Sequence, residues 1–102
     1  MNYQLVLQFP APSDDDFDAM ISFENELIDH LGDAADVDGH DWGSGEFNIF
    51  IWTGHPEQTF AMVKALPVSQ AFLAQMRVAY RAESSETFTV LYPPELAQFS
   101  IS

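Results

Sequence analysis

The chain contains no cysteine, and Lys64, Arg77 and Arg81 are its only lysine and arginine residues. Without a thiol there can be no disulfide, thiolate metal ligand or cysteine nucleophile. Without a basic patch there is nothing to neutralise phosphates, which excludes nucleic acids and anionic membranes as expected partners. No apolar run approaches the ~20 residues that a membrane-spanning helix needs. Residues 1–4 lack the basic region and apolar stretch of a secretion signal, so a cytoplasmic setting is expected, and a cysteine-free domain suits it.

Acid is what the chain has in excess. It carries 16 Asp and Glu residues and a formal net charge of -13 over 102 residues. Residues 1–63 hold 13 of those acids and no Lys or Arg, so this stretch accounts for the whole net charge. Residues 64–102 balance, with three cations against Glu83, Glu86 and Glu95. Such a field keeps a small protein soluble and attracts basic proteins or divalent cations. A hydrophobic content of 47% argues against disorder, and the length allows one domain spanning residues 1–102.

Residues 3–9 alternate as a strand that Pro10 and Pro12 end. Ser13 reads as an N-cap, with Asp14, Asp15 and Asp16 in the first turn, where the helix dipole favours negative charge. Phe17, Met20, Ile21, Glu24, Leu27, Ile28 and Leu31 follow helical spacing, Glu24 being the only polar interruption, and Gly32 stops the helix. Residues 35–42 form a polar strand, Gly43, Ser44 and Gly45 a three-residue turn, and residues 46–53 a strand apolar on both faces. Pro56 opens a second helix with Phe60, Val63 and Leu66 on its stripe, and Pro67 ends it. Residues 69–75 add a short helical piece. Residues 76–83 and 87–92 read as a hairpin around Ser84, Ser85 and Glu86, which puts Val78, Tyr80 and Ala82 on one side with Phe88, Val90 and Tyr92. Residues 93–102 form a tail with no assigned order.

This order predicts an α+β fold: a ferredoxin-like β-α-β-β-α-β plait with an added C-terminal hairpin strand. The sheet is antiparallel, both helices lie on one face, and the first and third strands are central. The other face of the sheet is left open.

The segment between residues 36 and 48 concentrates polar and aromatic groups. With a three-residue turn, Asp38, His40 and Trp42 share the open face with Glu46, Asn48, Phe50 and Trp52, and these seven residues are the candidate binding site. As a calcium loop the segment fails on spacing, because placing Gly39 sixth puts Ala34 first and Gly45 twelfth. An acid–base enzyme would use His40 with Asp38 or Glu46, since imidazole moves protons near neutrality. Ser44 lacks the strand-to-helix turn of an activated serine. No metal site or cofactor is expected.

The run Asp38-Gly39-His40-Asp41-x-Gly43-Ser44-Gly45-Glu46-x-Asn48-Ile49-Phe50-Ile51, followed by Pro56 and a helix, resembles that of uncharacterised small acidic bacterial plait-like domains. The resemblance covers the middle third of the chain and brings no catalytic role with it. In charge and size alone the chain is also similar to acidic immunity proteins that block basic toxin nucleases. The leading expectation is thus an acidic protein-binding domain, with an immunity or inhibitor role as its sharpest form and a basic protein as partner. The alternatives are a small enzyme centred on His40 and a homodimer formed through the open sheet face.

Overall fold

Residues 2–101 are described by a computed structural model, an α+β fold of two helices and one five-stranded antiparallel sheet. Strand β1 (Tyr3–Pro10) is followed by helix α1 (Asp14–Leu31), strands β2 (Asp36–Gly43) and β3 (Glu46–Thr53), helix α2 (Pro56–Ala65), and strands β4 (Arg77–Ala82) and β5 (Thr89–Tyr92). Short 3₁₀ turns at Gly32–Ala34 and Pro67–Ala71 follow the two helices. In space the strands run β2-β3-β1-β4-β5. The central strand, β1, buries both alternating sets, with Leu5, Leu7 and Phe9 on one face and Val6 and Gln8 on the other.

One core lies between the sheet and both helices. The face carrying Leu5, Leu7, Phe9, Phe47, Ile49, Ile51 and Val78 meets Met20, Phe23, Leu27 and Leu31 of α1 and Phe60 and Val63 of α2. Each fully buried leucine here contributes about 1.5–3 kcal/mol relative to exposure. Helix α1 is capped as its sequence implies: the Asp16 N–H donates to Ser13 Oγ at 3.2 Å, and Ser13 Oγ–H donates back to the Asp16 carboxylate at 2.8 Å. Its buried stripe differs from the expected one at two positions. Phe23 is buried, whereas Ile28 is 48% exposed. The helix rotates so that an aromatic ring fills the space under Phe9 and Phe72.

Two registers depart from the expected ones. The β2–β3 turn takes two residues rather than three, so Gly43 pairs with Glu46 and Trp42 with Phe47. Ser44 and Gly45 both have positive φ, 55° and 75°, the conformation of a two-residue hairpin turn that follows the twist of its strands. A bulge then interrupts the ladder at Asp38, beyond which Val37 pairs with Ile51. Gly39, with φ 149°, supplies the backbone shape the bulge needs. At β4–β5, Val78 does pair with Tyr92, but a second irregularity puts Tyr80 opposite Thr89 rather than Val90.

The second sheet face is not open. Val6, Gln8, Asn48 and Ala79 are all at most 2% exposed there. The segment after β5 lies across them: Gln8 Nε2 donates to the Ser100 carbonyl at 2.9 Å, and the rings of Phe88 and Phe99 sit 5.0 Å apart. Gln8 also donates to Asn48 Oδ1 at 3.0 Å, so this buried amide pair is hydrogen-bonded to itself and to the tail.

Candidate functional site

The change in register divides the seven candidate residues between two faces. Paired residues of an antiparallel ladder point the same way. His40 opposite Ile49 and Trp42 opposite Phe47 therefore face the helices, whereas Glu46, Asn48, Phe50 and Trp52 face the tail. Asp38 sits exposed in the bulge. The expected contact zone, one face holding all seven, does not form.

On the helix side, His40 and Trp42 close the gap between β2 and α1. The His40 ring stacks on Phe47 at 4.8 Å, and Phe17 packs edge-on to His40 at 5.9 Å and tilted against Trp42 at 4.6 Å. Trp42 Nε1 donates to the Ala11 carbonyl at 2.8 Å. His40 Nδ1 donates to Glu24 Oε1 at 3.0 Å, the acceptor-only carboxylate fixing that tautomer. Side-chain exposure is 32% for the histidine and 10% for the glutamate. Neither expected partner, Asp38 or Glu46, takes this role. Glu24 does, and the signal for it was its place as the lone polar residue on an apolar stripe.

On the tail side, Glu46 accepts from Arg77 Nη2 at 2.7 Å, while its Oε1 is shielded and unpartnered among the described residues. Arg81 donates through Nε to Gln4 Oε1 at 3.0 Å and lies 5.9 Å over the Trp52 ring. The cross-strand rows of this face read Arg81–Gln4–Trp52–Asp36 and Arg77–Gln8–Asn48–Asp41. Cations stand at the β4 end of both rows and carboxylates at the β2 end.

That polarity extends to the whole molecule. Eleven of the 16 acids fall between Asp14 and Asp41, in α1, the following 3₁₀ turn and β2. Helix α1 packs against β2 and β3, so the elements that carry these acids are neighbours, with Glu24 buried between them and Asp36 and Asp41 on the tail side of the sheet. Lys64, Arg77 and Arg81 lie on α2 and β4. Among the described residues, the two exposed large apolar side chains are Ile28 of α1 and Trp42 of β2, 48% and 39% exposed, and both belong to these acidic elements.

Other polar groups have structural partners. His30 Nε2 donates to the Met62 carbonyl at 2.8 Å and ties α1 to α2. His55 N–H donates to Thr53 Oγ1, which is also hydrogen-bonded to Thr59, and this fixes the entry to α2. One cleft of ≈ 500 Å³ lies between Gln4, Arg81, Phe88 and Ile101, and another of ≈ 340 Å³ lies between Tyr3, His55, Gln58 and Tyr80. Neither is lined by His40 or Glu24. No helix among the described residues is long and apolar enough to cross a membrane. No protein-family model, curated protein or solved structure matches the chain.

Proposed function

We propose that the chain is a non-enzymatic binding domain whose α1–β2 flank recognises a basic protein, in the manner of an immunity or inhibitor protein of the cytoplasm. The observation that carries this is that two adjacent elements, α1 and β2, hold most of the acid and, among the described residues, both exposed large apolar side chains. Interfaces are commonly anchored by an aromatic or aliphatic group within a polar rim, and Trp42 and Ile28, carried on aspartate-rich elements, have that composition. Long-range attraction of a basic partner to such a flank raises the rate of encounter. Taken as scaffold, the strand order β2-β3-β1-β4 with its two helices supports a ferredoxin-like plait, which β5 extends by one strand. The surface in this reading is a flank of the plait, its sheet face being occupied by the chain's own tail.

An acid–base role for His40 has weaker support. Glu24 orients the ring, but the imidazole stacks on Phe47 as part of the helix–sheet seam. Affinity capture from bacterial lysate separates the readings. The unmodified chain is expected to retain a basic protein at low salt and release it at high salt. A variant carrying Asp18→Asn, Asp29→Asn, Asp36→Asn and Trp42→Ala should lose that protein. Equal retention by both proteins would overturn the assignment to this flank.

A further inference from the structure

We propose that β2 is a docking edge, onto which an extended basic segment of the partner adds as a sixth strand. This deepens the reading of the acidic flank as a protein-binding surface and rests on it. Strand β2 is eight residues long and terminates the sheet, with only β3 beside it. Among the described residues, none of its backbone groups bonds to a loop, helix or terminus. In a two-residue hairpin the pair flanking the turn exchanges hydrogen bonds, and hydrogen-bonded pairs then alternate along the ladder. Gly43–Glu46, Asp41–Asn48 and Gly39–Phe50 are those pairs. The N–H and C=O of His40 and Trp42 therefore point outward from the sheet, which is what an added strand requires.

Charge selects the occupant. Asp36, Asp38 and Asp41 flank the edge and are exposed, and no Lys or Arg lies on β2 or α1. A second copy of the chain would bring these carboxylates face to face, and like charges directly opposite destabilise strand pairing. A strand carrying Lys or Arg on alternate positions reverses that sign. The opposite edge, β5, is four residues long and runs into Pro93, so it offers no comparable ladder. The bulge at Asp38 limits the regular stretch to residues 39–43, so the added strand is short.

The test uses the full ¹⁵N-labelled chain and a capped synthetic peptide of alternating lysine and valine. An analogue of equal charge, with every backbone amide N-methylated, cannot pair as a strand. With the unmethylated peptide at ten times its Kd, amide exchange at His40 and Trp42 is expected to slow about tenfold. The methylated analogue should give no such protection. Replacing Asp36, Asp38 and Asp41 together with Asn should weaken the unmethylated peptide and flatten its salt dependence. Salt-sensitive shifts on α1 without protection of His40 and Trp42 would overturn strand addition while leaving the acidic flank as a binding surface. No salt-sensitive shift with either peptide would overturn both.

Discussion

At the scale of single residues, His40 shows how one position can look catalytic in a sequence and structural in a fold. Its Nδ1–H satisfies a glutamate that would otherwise sit unpartnered in an apolar seam. Replacing His40 with Ala should therefore cost about 1–3 kcal/mol, the penalty of stranding a buried acceptor. In a double-mutant cycle with Glu24→Gln, urea unfolding should return a coupling of about 1 kcal/mol, as expected for groups in direct contact. Additive effects would mean that the two side chains do not meet. The neighbours Leu27 and Ile28 provide a second comparison. Leu27 is fully buried and Ile28 is not, so Leu27→Ala should lose about 2–5 kcal/mol of stability. Ile28→Ala should stay within about 0.5 kcal/mol, while weakening capture of a basic partner. Equal losses of stability would place Ile28 in the core and remove it from the proposed surface.

At the scale of elements, what could be read in advance depended on how local the determining signal was. Helix α1 carries its own cap, acidic first turn and glycine stop, all within one stretch of chain, and it forms where those signals put it. Strand β3 needs only its continuous apolar run. The β2–β3 register depends on two features acting together, turn length and a bulge. Strict alternation cannot put Val37, His40 and Trp42 on one face, because their spacing is odd and then even. The bulge reconciles them, and Gly39 within the strand was its one local sign. The tail offered no periodicity to read, since it packs as irregular chain held through Ser100 and Phe99. Deleting residues 93–102 should uncover Val6, Gln8, Asn48 and Ala79. That truncated chain is expected to bind a hydrophobic dye and unfold at lower urea than the full chain, whereas an unchanged midpoint would mean that the tail covers nothing. The turn gives a prediction of opposite sign. Because Ser44 holds a positive φ, Ser44→Asn should raise stability by about 0.5 kcal/mol in thermal unfolding.

At the scale of the molecule, charge is arranged as well as abundant. The sheet is anionic at β2 and cationic at β4, and α1 reinforces the anionic side. Repulsion within that flank opposes compactness, so the melting temperature should rise as salt goes from about 10 mM to about 150 mM and the screening length falls from ~30 to ~8 Å. A flat profile would mean that the carboxylates are too dispersed to repel. The sequence already displayed the excess of acid in residues 1–63. That α1 and β2 lie side by side, bringing Ile28 and Trp42 into the same acidic surroundings, required the fold.

The placement of Trp42 and His40 beside α1 underlies every assignment made to this flank, and proton NMR of the unmodified chain tests it most directly. Cross-peaks from the Trp42 α-proton to that of Phe47, and from the His40 ring to the rings of Phe17 and Phe47, are expected. Contacts from the Trp42 indole to Phe50 or Trp52 would put both residues on the opposite face and contradict the account.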